Sequence, residues 1–169
     1  MANPMYGQNK FDNDANVFSV GKTNVLTTTA GTFNVNAEDS GAIIFVNDAD
    51  GVVQLPAAEA GLQFKVVFGI DTTAGAKILA KSGDCFFGTL NVNSTTKAKC
   101  SAQSIDHATA IGTVASYDTL DFTHDSQTLA GKAGDFVELI AIDATAWMVS
   151  GALVTDGNDP DAIAIINAS

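Results

Sequence analysis

Apolar residues along this chain come in short runs that alternate with polar positions, and no stretch sustains an apolar repeat every three to four residues. From Val17 onward the runs read "VFSVG", "NVLTTT", "TFNVN", "GAIIFVN", "GVVQLP", "LQFKVVFG", "AKILAKS" and "CFFGTL", separated by Gly, Asn, Asp or Ala-Gly breaks. A two-residue period puts alternate side chains on opposite faces of a strand, so the pattern predicts an all-β fold. The spacing suits an antiparallel β-sandwich or a barrel-like domain joined by hairpins. Asn47 to Gly51 supplies residues that tolerate left-handed backbone, as expected of a hairpin turn between "AIIFV" and "VVQL". In "LPAAEAG", Pro56 ends a strand, Ala57 to Ala60 are expected to make one helical turn, and Gly61 releases it. Residues 91–110 read as a loop or a weak edge strand, and two strands are expected in "IGTVASYDTLDFTH". The run Ala162 to Ile166 is expected to pair with a sheet edge of this chain or of a neighbour.

The run "GDFVELIAIDATAWMVSG", Gly134 to Gly151, has two apolar faces. On its first strand Phe136, Ile140 and Ile142 point one way and Val137, Leu139 and Ala141 the other, with Glu138 the one interruption. A strand apolar on both sides must be covered on both sides, by a second sheet of the same chain or by another copy of it. Phe86 and Phe87 are adjacent in "DCFFGT", so they too face opposite ways. Trp147 is followed by Met148 and Val149 in the same two-sided fashion. Glu138 reads as an edge or interface residue whose carboxylate reaches water or a lysine. These paired faces make a tight oligomer the expected state.

Composition narrows the functions open to such a fold. The chain has 169 residues, enough for one well-buried domain. Its expected divisions are an N-terminal arm over 1–15, a β domain over 16–155 and a C-terminal tail or edge strand over 156–169. The formal net charge is -11, and the 8 basic residues are all lysines. With no guanidinium to fork onto phosphate or a base edge, nucleic acid is not an expected partner. The start "MANPMYGQNKFDNDA" lacks the features of a secretory signal, and no run approaches a membrane span, so no membrane partner is expected. Cys85 and Cys100 would pair only if their strands lay side by side; without secretion they read as reduced, buried thiols. The sequons at Asn93 and Asn167 carry no meaning under the same expectation.

Candidate chemistry is sparse. His107 and His124 sit beside aspartates, but neither belongs to a spaced metal or acid/base motif. Asn47 to Gly51 lacks the remaining ligands of a calcium loop. There is no nucleophile elbow, no phosphate-cradling glycine motif and no thiol-hydrolase context around either cysteine. Asp121 and Asp125 are the carboxylates on which a polysaccharide hydrolase would be built, since such pairs are spatial and leave no spacing signature. The expectation is a protein that is not an enzyme and holds no cofactor or metal.

The succession from Ser40 to Gly88, "SGAIIFVNDADGVVQLPAAEAGLQFKVVFGIDTTAGAKILAKSGDCFFG", followed by the late "GDFVELIAIDATAWMVSG", resembles small β-structured virion proteins of tailed bacteriophages. Capsid decoration, or cement, proteins share the pattern of a strand, an LPxAxAG turn, a strand, I-x-A-x-x-G-D and a final hairpin. Similar strings occur in phage tail fibres and spikes. The resemblance implies a homotrimer on the exterior of an icosahedral head, bound to the major capsid protein and resisting internal DNA pressure, after synthesis in the host bacterial cytoplasm. It makes the second face of the hairpin a trimer contact, with Phe87, Val137, Leu139 and Trp147 as candidates. The arm becomes a candidate capsid clamp through Met5, Tyr6 and Phe11. The fibre alternative is a module that binds host-surface carbohydrate through exposed Trp147, Tyr117 or Phe residues.

Overall fold

In a computed structural model, the chain is described over residues 24–28, 30–73, 75–94, 100–105, 118–123, 130–155 and 164–166. These residues form twelve strands and one short 3₁₀ turn, as the all-β pattern predicts. The strands are β1 (Val25–Thr27), β2 (Thr32–Asn34), β3 (Ile43–Val46), β4 (Val52–Gln54), β5 (Gln63–Phe68) and β6 (Lys77–Leu79). They continue with β7 (Cys85–Ser94), β8 (Cys100–Ile105), β9 (Thr119–Asp121), β10 (Phe136–Ala141), β11 (Ala146–Thr155) and β12 (Ala164–Ile166). The 3₁₀ turn covers Ala37–Asp39, where the Asp39 carboxylate accepts hydrogen bonds from the backbone and side chain of Asn36.

Two mixed sheets result, and neither closes into a barrel. One has seven strands in the order β1-β3-β5-β10-β11-β7-β8, the other five in the order β12-β9-β6-β4-β2. The expectation of antiparallel pairing is corrected for the first half of the chain. There β1, β3 and β5 lie parallel in one sheet while β2, β4 and β6 lie parallel in the other, so each connection crosses between sheets. The register steps from Val25 to Ile43 to Lys65 on one side and from Thr32 to Val52 to Lys77 on the other, a parallel coil. Asn47 to Gly51 is therefore a crossing and not a hairpin turn. Its sequence specifies a change of direction, which serves either purpose, and the partner of each strand is set by the stacking of successive circuits.

Beyond the coil the pairings are antiparallel except that β11 and β7 run parallel over ten residues. Strand β10 pairs with β5 on one side and with β11 on the other, so the hairpin foreseen from Gly134 to Gly151 is present and central. Its turn is held by Asp143, whose Oδ1 accepts the backbone N–H of Thr145 at 2.7 Å. Of residues 91–110, 91–94 continue β7 and 100–105 form β8, which pairs with β7 as the edge strand of the larger sheet; 95–99 and 106–110 lie outside the described residues. Strand β12 pairs with β9 of its own chain. The expected helical turn at Ala57 to Ala60 is absent; the segment is irregular up to a tight turn at Ala60 and Gly61, where Gly61 takes φ +98°. Four residues are too few to sustain a helix, and Ala58 is instead held by its N–H, which donates to Asp84 Oδ2 at 2.7 Å.

One hydrophobic cluster draws on the inner faces of both sheets. Ile44, Val66, Phe86, Leu90, Val137, Leu139, Trp147 and Val149 come from the larger sheet; Val53, Ile78 and Leu120 come from the smaller. The Phe68 and Phe122 rings meet edge to face with centroids 5.1 Å apart, and Phe64 tilts against Trp147 at 5.9 Å. Close approach of β7 and β11 depends on Gly88, where a Cβ would run into the Val149 backbone.

Candidate interaction surface

Strand β10 separates its two apolar sets cleanly. Val137, Leu139 and Ala141 are buried, whereas Phe136 is half-buried and Glu138 and Ile140 are exposed. The alternation repeats on β11, with Trp147 and Val149 inside and Met148 and Ser150 outside, and on β7, with Phe86 inside and Phe87 on the outer face. Three of the four candidate trimer contacts are thereby corrected: Val137, Leu139 and Trp147 are each 0% exposed within the chain's own core. Phe87 alone stays on the outside. Trp147 leaves its indole Nε1 buried without a hydrogen-bond partner.

The outer face of the larger sheet is assembled row by row through the strand register. One row runs Val25, Ile43, Lys65, Glu138, Ser150 and Thr89. A second runs Thr27, Phe45, Val67, Phe136, Ala152 and Asn91. A third brings Gln63, Ile140, Met148 and Phe87 together. Val25 is 55% exposed, Ile140 and Ile142 38% each and Met148 36%, all large apolar side chains on one side of one sheet or at its rim. The Phe45 ring lies over Gly69, whose missing Cβ makes room for it.

Charge on this face is confined to a single matched pair among the described residues. Lys65 and Glu138 are direct cross-strand partners, with Nζ to Oε1 at 3.0 Å, and the same ammonium stands 4.1 Å from the centre of the Phe136 ring. Glu138 thus finds a lysine, as its place in the sequence suggested, but from a central strand and not from an edge. Beside the pair a shallow groove of about 400 Å³ is bordered by Gly41, Ile43, Gln63 and Ile140.

The remaining candidates are structural where they are described. Asp121 is buried, pairs with Lys77 at 3.2 Å and accepts the Thr123 N–H at 2.9 Å. Cys85 is buried at the start of β7, while Cys100 lies opposite Asn93 near its far end. A ten-residue strand rising about 3.3 Å per residue puts the two well past the roughly 7 Å span of a disulfide. Met5, Tyr6, Phe11, His107, Tyr117, His124 and Asp125 lie outside the described residues. Among the described residues no group of three His, Cys, Asp or Glu could hold a metal ion, and no helix is long and apolar enough to cross a membrane.

One buried carboxylate went unremarked in the sequence. Asp135 Oδ2 accepts the N–H of Lys132 at 2.8 Å and that of Val154 at 2.7 Å, tying the loop before β10 to the end of β11. Burial pushes its pKa above the usual carboxylate value, against the lowering effect of those backbone donors, and nearby Asp71 adds to the rise. Its position just after Gly134 and before a strand was the available signal, since aspartate at such a junction is placed to bind backbone N–H groups.

Comparison of the chain with protein-family profiles, with curated proteins and with solved structures finds no match.

Proposed function

We propose that this chain is a structural assembly module whose role is to present a rigid β surface to other protein subunits. The observation that carries this reading is the apolar outer face of the larger sheet, whose charge among the described residues is one matched ion pair, on a chain of net charge -11. Apolar patches on a sheet that is already complete are unfavourable in isolation and are typical of surfaces that become buried on assembly.

Within that class we propose a head decoration, or cement, protein of a tailed bacteriophage. The two-layer arrangement serves as a sandwich-like block, and three copies form a homotrimer that sits on the capsid exterior and bridges neighbouring copies of the major capsid protein. Such a block resists internal DNA pressure by adding contacts across subunit boundaries, and three linked contact sites per particle raise avidity without demanding strength from any one. The proposed capsid-binding element is the arm with Met5, Tyr6 and Phe11. The fibre alternative loses its principal residue, because Trp147 is 0% exposed and offers no ring for a sugar to stack on.

The test is addition of the purified protein to expanded heads of its own phage from which it has been omitted. Saturable binding and increased resistance of the heads to heat or chelation are the expected result. Absence of binding at micromolar concentration would overturn the proposal.

A further inference from the structure

We infer that copies of this chain meet through the outer face of the seven-stranded sheet, with Phe136, Ile140 and Met148 at the contact and the Lys65–Glu138 pair enclosed within it. The inference rests on the assembly reading above for the number of copies, but its geometry stands on charge, apolarity and area.

Charge selects the occupant. Two chains of net charge -11 repel at long range, and close approach costs least through a surface that carries no net charge of its own. Among the described residues of the outer face, one ammonium and one carboxylate neutralise each other at 3.0 Å, and the other side chains are apolar or uncharged. A nucleic acid or an anionic membrane finds no free cation there, and a strongly basic partner finds no free carboxylate. The same face on neighbouring copies matches in both polarity and neutrality, and three such faces turned toward one threefold axis each meet two others.

Apolar surface supplies the drive. Val25, Ile140, Ile142 and Met148 are exposed beside half-buried Phe45 and Phe136. Burying them removes side chains from water that the protomer core cannot reach, since both sheets already spend their inner faces on one cluster. The face is also of the right order of size. Seven strands about 4.8 Å apart, rising about 3.3 Å per residue, span on the order of 700 Å², near the roughly 800 Å² per partner of a stable interface.

The experiment is the solution mass of the full chain by light scattering, for the wild type, Ile140→Lys, Met148→Gln and the control Thr32→Lys on the opposite sheet. The wild type and Thr32→Lys are expected at three times 17.4 kDa, and both outer-face variants at or moving toward 17.4 kDa with an unchanged cooperative unfolding profile. Met148→Gln, which keeps length and flexibility, guards against Ile140→Lys failing to fold. Rising salt is expected to strengthen association by screening the general repulsion while leaving the neutral face untouched. A monomeric wild type whose outer face is covered by its own terminal residues would overturn the inference. So would outer-face variants that remain fully associated, or an association that salt dissolves. If the masses behave as expected and no variant, wild type included, binds heads, the decoration role fails and the interface stands.

Discussion

The outer faces of the two sheets are built to different rules, although the inner faces share one core. On the larger sheet the outward positions include Val25, Ile43, Phe45, Val67, Phe136, Ile140, Met148 and Phe87, interspersed with uncharged Thr27, Gln63, Ser150, Thr89 and Asn91 and one matched ion pair. On the smaller they are exposed Thr32 and Asn34 and half-buried Val52, Gln54, Lys77 and Leu79, with Lys77 paired to the buried Asp121. There Gln54 donates to the carbonyls of Leu55, Leu79 and Ala80, so a polar side chain stitches the strand ends together. A polar outer face is complete in water, whereas an apolar one is complete only against another surface. The difference suits the smaller sheet's outer face to solvent and is the ground for proposing assembly through the larger one.

The sharpest way to break that comparison is to disturb the core both faces depend on. Trp147→Ala should cost about 3–5 kcal/mol in urea unfolding, because it empties the largest site between the sheets. A stable Trp147→Ala protein would mean that the inner faces do not form one core. Next in size is a contrast along a single strand. Leu139→Ala should lose about 2–5 kcal/mol. Ile140→Ala, one residue away on the outer face, should leave protomer stability nearly unchanged and show its effect in association. Equal effects at the two positions would erase the distinction between faces.

Asp135 tests the seam where the hairpin joins the coil. Asp135→Ala strands the Lys132 and Val154 N–H groups and should cost about 1–3 kcal/mol. Because the folded pKa is raised above 3.8, the folded state holds a proton at pH values where the unfolded chain has lost it. The contribution of this group is therefore most favourable below the unfolded value and declines as pH rises through the folded one. Unfolding titrations of Asp135→Asn should lack that decline; a wild-type chain with no such difference would refute the burial argument.

The smallest effects belong to the surfaces themselves. Glu138→Gln should change protomer stability by about 0.2–1 kcal/mol, since the pair with Lys65 is well exposed, with the difference shrinking in salt. Its larger consequence is an unmatched lysine on the outer face, which should weaken association. Thr32→Lys on the smaller sheet should stay within about ±0.5 kcal/mol, and a marked loss there would show that the polar face is also covered.

Much of the strand content was legible in the chain because strand signals are local: β3, β5, β10 and β11 all fall on short runs of β-branched and aromatic residues bounded by turn residues. The side that faces inward was legible too, though it was misjudged. Glu138 shares its parity with Phe136 and Ile140, and a charged residue marks the side of a strand that water or a neighbour must accommodate. That places Val137 and Leu139 inside, where the structure has them.

The sequence by itself determined that the fold is β, where its turns fall, that the late hairpin forms, and that its strands carry two apolar faces. Side-chain alternation and turn preference are settled within a few neighbouring residues. Only the tertiary structure decided that β1, β3 and β5 stack in parallel, that Asn47 to Gly51 crosses between sheets, and that Lys65 meets Glu138. Those outcomes join residues distant along the chain, and they follow from which pairing buries the most apolar surface while leaving every strand a partner.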